Sequence, residues 1–315
     1  MQRRSGILEY GGGTVRNTKV MLAGVELKNP VMTASGTFGS GVEYSEFYDL
    51  GVLGAVVTKG VASVPWPGNP TPRIAETRGG MLNAIGLQNP GIDVFVDRDL
   101  PYLKKYDTRV IVNVCGKTME DYCAVVERLS SEPVDLLEIN VSCPNVKEGG
   151  IAFGQDPKAL EAITREVKKY ASQPVIMKLS PNVTDITEMA RAAEAGGADV
   201  LSLINTITGM KIDIHRRTFA IANKTAGMSG PAVKPVAVRM VYQVAQAVKL
   251  PLIGMGGILN GEDAIEFILA GATAVSVGTA NFADPYAARN VTEGIEAYMQ
   301  QYQVDDIREL IGAVR

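Results

Sequence analysis

A cysteine stands in the run N-V-S-C-P-N-V-K-E-G-G (Asn140–Gly150), and cysteine is scarce in this chain, three in 315 residues. An apolar, strand-like segment ends at Cys143, and a polar, glycine-rich loop follows. An unperturbed thiol titrates at about 8.5, so a thiol at the mouth of such a loop can act as a base where its surroundings favour the thiolate. Free cysteines are more often small buried hydrophobes, and Cys115 and Cys123 fit that description. Two lysines end equally apolar runs, Lys59 in V-V-T-K-G and Lys178 in V-I-M-K-L-S. A lysine in such a setting is costly without a partner, and a snorkelling surface lysine fits these flanks poorly. Two chemistries stay open for them: a Schiff base with a carbonyl substrate, or a fixed positive charge facing a cofactor that gains negative charge on reduction. Asn83, Asn140 and Asn205, with Asn113 nearby, supply donors and acceptors suited to a planar ligand carrying imide, amide or carboxylate groups. Singly, each would suit a turn or cap; together at one mouth they point to binding.

These side chains need a frame that brings them together. Short β-branched runs recur along the chain, each followed by a longer helical pattern. They are Pro30–Gly36, Ala55–Gly60, Val110–Gly116, Leu136–Cys143, Val175–Ser180, Val200–Thr206, Pro251–Gly257 and Ala274–Ala280. Near-continuous apolar strands alternating with helices predict a parallel sheet buried on both faces. Eight units predict an α/β fold closed as a single (β/α)8 TIM barrel. An open doubly wound sheet is the alternative, but no G-x-G-x-x-G follows an early strand. Barrels place functional groups at the C-terminal ends of their strands. Here those ends carry Lys59, Asn113, Asn140 with Cys143, Lys178, Asn205 with Thr206, Gly256 with Gly257, and Gly278 with Thr279.

Between the strands, Asp156 and Pro157 form a helix start, with Leu160, Ile163, Val167 and Tyr170 as its apolar stripe. Ala237, Val241, Val244 and Val248 make a second stripe. Two segments, Val61–Asn89 and Gly209–Pro231, interrupt the pattern and read as inserts over the mouth. G-M-G-G-I (Gly254–Ile258) and V-G-T-A (Val277–Ala280) end the seventh and eighth strands, where these barrels commonly bind phosphate through backbone N–H groups.

The bulk numbers exclude other readings. A formal charge of −3 gives no basic field for nucleic acid. No apolar run is long enough to span a bilayer, and the N-terminus lacks a secretory core. Three cysteines without a disulfide framework suit a reducing cytoplasm, and a cytoplasmic location is expected. They are too few for an iron–sulfur cluster of the all-cysteine kind, and one histidine, His215, cannot found a zinc site. Redox chemistry would therefore come from a bound organic cofactor, with no metal.

Several motifs occur in order: T-A-S-G-T-F-G (Thr33–Gly39), V-T-K-G (Val57–Gly60), N-A-I-G-L-Q-N (Asn83–Asn89), N-V-S-C-P-N-V-K-E-G-G, L-I-N-T (Leu203–Thr206), M-G-G-I and V-G-T-A-N. Together, from about Val20 to the C-terminus, they resemble the catalytic chain of the dihydroorotate dehydrogenases, flavoproteins of pyrimidine synthesis. The resemblance implies FMN bound by Ser35, Thr58, Lys59, Asn113, Asn140, Lys178, Ile204, Gly230, Gly256, Gly257, Gly278 and Thr279. It implies dihydroorotate bound by Lys59, Asn83, Ala84, Ile85, Gly86, Leu87, Asn140, Asn205 and Thr206. Cys143 would be the general base, and Lys178 would stabilise the anionic reduced flavin. The membrane-associated branch of the family has serine in place of the cysteine and an apolar N-terminal extension; this chain resembles the soluble branch. Residues 1–19 then form an N-terminal extension, a candidate flexible segment, and residues 20–315 the FMN-binding barrel.

Within that branch, V-K-E-G-G-I-A-F-G-Q-D, M-L-N-A-I-G-L-Q-N and G-T-A-N-F-A-D-P resemble the NAD-dependent type. There a second subunit carries FAD and a 2Fe-2S cluster, and a homodimer core sits in a heterotetramer. The alternatives are a fumarate-reducing homodimer, a related dihydropyrimidine flavoenzyme, and a Schiff-base lyase on the same barrel.

Overall fold

Eight short strands close into a parallel barrel in a computed structural model that describes residues 16–142 and 150–315. The described chain enters through a hairpin, β1 (Val20–Leu22) and β2 (Val25–Leu27), and passes into the first two barrel strands, β3 (Val31–Thr33) and β4 (Ala55–Val57). β5 (Ile74–Thr77) and β6 (Gly80–Asn83) lie outside the barrel. β7 (Arg109–Val114), β8 (Leu136–Ile139), β9 (Val175–Lys178) and β10 (Val200–Leu203) continue it. A second excursion contains β11 (Ile207–Met210), β12 (Ile212–Asp213), β13 (Thr218–Phe219) and β14 (Thr225–Ser229). β15 (Leu252–Met255) and β16 (Ala274–Val277) complete the ring, β16 pairing with β3 in parallel.

Each of the eight predicted strand runs coincides with a barrel strand, although β7 begins one residue before its predicted run, at Arg109. β8, β9, β10, β15 and β16 are buried at every position, as strands covered on both faces must be. The predicted runs overshoot at their C-terminal ends. Beyond Ile139, for example, the backbone leaves the ladder: Asn140 N–H still donates to Val114 O at 2.9 Å, but Val141 N–H turns back to Ile139 O. Many of those overshooting residues, among them Ser35, Lys59, Asn140 and Asn205, line the mouth.

The helix Pro157–Tyr170 starts where expected. Asp156 caps it by accepting from Ala159 N–H at 2.7 Å, and Pro157 occupies the first turn. Leu160, Ile163 and Val167 are buried, but Tyr170 is 39% exposed. The stripe is centred nearer Thr164, whose hydroxyl donates to Leu160 O, which leaves Tyr170 at its edge in the last turn. In the helix Lys234–Ala247, Ala237, Val241 and Val244 are buried, and Val248 is its buried C-terminal cap. Among the described residues, no helix is long and apolar enough to cross a membrane.

The two inserts form more than loops. β11, β14, β6 and β5 make one antiparallel sheet in that order, two strands from each insert. The seam is β14 on β6, with Met228 opposite Leu82. Leu82, Ala84, Ile221 and Ala226 form a small apolar cluster within this sheet and its connections. Beside the seam, Gly80 has φ +154° and a Cβ there would lie 1.9 Å from Ser229 O. Gly80→Ala is expected to destabilise the protein by about 1–3 kcal/mol through strain and overpacking. The check is thermal melting with limited proteolysis, in which both inserts should become more cleavable while barrel helicity persists.

Candidate active site

Sixteen of the residues singled out from the sequence line one cavity of about 600 Å³ at the C-terminal end of the barrel. Ser35 comes from the turn after β3, Lys59 from the end of β4, Asn140 from β8 and Lys178 from β9. Ile204, Asn205 and Thr206 come from β10, Gly256 and Gly257 from β15, and Gly278 and Thr279 from β16. Asn83, Ile85, Gly86 and Leu87 come from the first insert and Gly230 from the second, so the insert sheet covers the mouth. This volume lies within the ordinary range for small-molecule and cofactor sites.

Three of the singled-out residues do not line the cavity. Thr58 and Asn113 are fully buried beneath it, with Thr58 Oγ1 accepting from Asn113 N–H at 3.3 Å. Ala84 is also fully buried and directs its N–H to Arg73 O. Cys143 lies outside the described residues.

Below the cavity runs a hydrogen-bond network that explains why polar residues are tolerated in apolar strands. Lys178 is 4% exposed and Glu138 is 1% exposed, and they form an ion pair at 3.3 Å. Glu138 Oε1 also accepts from Asn113 Nδ2 at 2.6 Å, and its Oε2 accepts from Ser202 Oγ at 2.9 Å. Asn113 Oδ1 in turn accepts from Asn140 Nδ2 at 3.2 Å. Asn140 Oδ1 accepts from Ser142 Oγ at 3.3 Å and Asn205 Nδ2 at 3.4 Å. Asn205 Nδ2 also donates to Ser142 Oγ at 2.8 Å, and its Oδ1 accepts from Thr206 N–H at 2.7 Å. Tyr122 pins the backbone by donating to Asn140 O at 2.8 Å. Buried polar groups satisfied in this way hold their rotamers.

Opposite the asparagines, glycine backbone forms the wall. Gly257 has φ +81°, and a Cβ there would sit 2.8 Å from Gly230 O and 2.9 Å from Lys234 Cβ. Thr279 Oγ1 donates to Ser229 Oγ at 2.7 Å, tying β16 to the second insert. Lys234 is held away as an ion pair with Asp263 and Glu266, at 2.7 and 2.6 Å. Ser276 Oγ, in the cavity wall, is buried without a hydrogen-bond partner. One cavity thus combines a cationic, amide-lined side with a backbone-lined side suited to an anion.

Sequence reasoning missed Glu138, Ser142, Ser202, Ser276 and Arg73, the last a rim residue whose guanidinium donates to Gln88 Oε1 at 2.8 Å. Glu138 had a readable signal. It stands two residues before Asn140 in L-L-E-I-N, on the same strand face, and a buried lysine requires a counter-charge. Of the other cysteines, Cys115 and Cys123 are both buried. Burial pushes the Cys123 thiol up, and Glu166 and Glu120 add to that.

Comparison with known proteins agrees with this geometry. The family model described as dihydroorotate dehydrogenase matches residues 17–299. A protein of Lachnoclostridium phytofermentans named "Dihydroorotate dehydrogenase B (NAD(+)), catalytic subunit" is 74% identical over 299 residues, covering 95% of this chain and all of that protein. A protein of the same name from Alkaliphilus metalliredigens is 64% identical, covering 95% and 99%. The crystal structure of a DHODH from Eimeria tenella in complex with ferulenol is 23% identical and superposes with a TM-score of 0.79 over 98% of this chain and 90% of that one, a likeness of fold. With a parallel barrel, a cavity at its C-terminal mouth, and relatives matched along almost their whole length, the chain belongs to the dihydroorotate dehydrogenase family.

Proposed function

We propose that this chain is the catalytic subunit of an NAD-linked dihydroorotate dehydrogenase, oxidising dihydroorotate to orotate in pyrimidine biosynthesis with FMN in the barrel mouth. The observation that carries the reading is the single cavity in which Lys59, Lys178, Asn83, Asn140 and Asn205 face a glycine-lined wall. The residues present fit FMN. Gly256, Gly257, Gly278 and Thr279 offer backbone donors for its phosphate, and the unpartnered Ser276 hydroxyl can bond a polar ligand atom. Lys178 supplies a positive charge at the cavity floor.

Oxidation removes a proton from C5 of dihydroorotate and a hydride from C6. Bound FMN supplies the two-electron acceptor for that hydride. Asn83, Asn140 and Asn205 bind the ring amides and carboxylate and fix the orientation in which both bonds break, which is where much of the rate comes from. Lys59 faces the substrate carboxylate. Cys143 takes the C5 proton. Electrons then leave through a partner subunit carrying FAD and a 2Fe-2S cluster, in line with the words "catalytic subunit" in the relatives' names. A heterotetramer built on a homodimer of this chain is the assembly we propose.

The test is to purify the chain, exclude oxygen, add dihydroorotate and follow the visible flavin band. Bleaching is expected, followed by reoxidation with NAD only when the partner is present. A flavin that stays oxidised overturns the substrate, and reoxidation by fumarate alone overturns the NAD-linked type. Gly257→Ala is expected to weaken FMN binding about tenfold or more, because its strain of about 1–3 kcal/mol falls on the phosphate wall. Fluorescence titration of the apoprotein with FMN measures this.

A further inference from the structure

We propose that Glu138 is a positioning residue that sets the charge at the cavity floor and thereby the redox balance of the bound cofactor. The inference rests on FMN being held in this cavity. Glu138 does not line the cavity. Its two oxygens nevertheless accept from three neighbouring strands: Asn113 on β7 at 2.6 Å, Lys178 on β9 at 3.3 Å and Ser202 on β10 at 2.9 Å. One carboxylate on β8 thus ties four consecutive strands together.

Two of those donors lead to the cavity. Lys178 lines it directly, and Asn113 passes the connection to Asn140, which lines it as well. With Glu138 behind it, Lys178 presents the positive end of a buried ion pair instead of an isolated charge. Reduction adds negative charge to a flavin, so a bare lysine would favour the reduced form more than the pair does. A unit charge acting over about 10 Å at an effective dielectric of about 20 changes such an equilibrium on the order of tenfold. Glu138 therefore holds the cofactor less oxidising than Lys178 alone would make it, which eases onward electron transfer. It also keeps Lys178 and Asn140 in one arrangement through both redox states.

The experiment measures the midpoint potential of the FMN-loaded chain, by slow enzymatic reduction beside a reference dye, for wild type, E138Q and E138D. E138Q is nearly isosteric and removes the charge; E138D keeps the charge and shortens the arm. E138Q is expected to shift the reduction equilibrium about tenfold towards the reduced flavin, an upward shift of about 30 mV for a two-electron couple. E138D is expected to stay within about twofold of wild type while kcat falls, because Lys178 is drawn back. A midpoint unchanged in E138Q, or shifted as far in E138D as in E138Q, overturns the proposal. Should E138Q not accumulate as folded protein, E138D decides alone: a wild-type potential supports the proposal and a tenfold shift overturns it. Failure of the underlying FMN reading would show separately, as a wild-type chain that binds no flavin.

Discussion

Replacing Cys143 by serine is expected to leave FMN bound and to slow anaerobic bleaching of the flavin by dihydroorotate about 10²-fold or more, the usual share of a positioned general base. A serine hydroxyl is a far weaker proton acceptor at neutral pH than a thiol on the edge of ionising. Part of the lost rate should therefore return as pH rises. Cys143 lies outside the described residues, but the position beside it is well anchored. Ser142 donates to Asn140 Oδ1 and accepts from Asn205 Nδ2, so the chain approaches Cys143 already tied to two of the asparagines that would hold substrate. The other two thiols are poor competitors. Cys115 and Cys123 are buried, and the Cys123 thiol is pushed further from ionisation by burial and by Glu166. Mild alkylation near neutral pH should accordingly inactivate the enzyme through one cysteine, and dihydroorotate should protect it. Stopped-flow bleaching at several pH values is the direct measurement; a C143S rate equal to wild type at neutral pH would remove Cys143 from the mechanism.

Lys178→Ala is expected to damage both stability and chemistry. It leaves the Glu138 carboxylate, 1% exposed, without its cation. Breaking a buried pair from one side costs about 3–5 kcal/mol, because the remaining charge stays desolvated. For a chain of this size that corresponds to a fall in melting temperature on the order of 10 °C. The same substitution removes the cavity's buried floor charge, so FMN occupancy or the extent of bleaching should fall as well. The two losses separate in K178M with E138Q. The uncharged pair should recover much of the melting temperature, since buried pairs are replaced by neutral groups at little cost, yet it should not recover activity. Calorimetry alongside flavin absorbance reads both. A K178A protein that melts with wild type would show that Glu138 finds another partner.

The barrel was legible in the sequence because each of its strands is an almost unbroken apolar run, and eight such runs separated by helices leave few alternatives. The cavity residues were legible for a related reason. Lys59, Asn140, Lys178 and Asn205 are polar side chains that interrupt or end those runs, where only a function or a partner justifies their desolvation. Depth was less readable. Thr58 and Asn113 stand at strand ends like the others, but their side chains support the layer beneath the cavity, and one-dimensional spacing does not separate floor from foundation. Glu138 passed as an unremarked charge because its meaning depends on three strands at once. The pairing of β6 with β14 was hidden for the same reason: no local pattern reports a contact between segments roughly 145 residues apart.

That pairing bears on how such a barrel can diversify. Barrel enzymes are readily retasked because each mouth loop is an independent appendage, changed without disturbing the others. Here the segments after β4 and β10 are joined along a shared edge, with Gly227 opposite Asn83 and Ser229 opposite Met81. They make up a single module with two separate insertions in the gene-encoded order. Transplanting one into a sister barrel would expose an unpaired edge and misplace Asn83, so specificity at this mouth is inherited, or engineered, in matched halves.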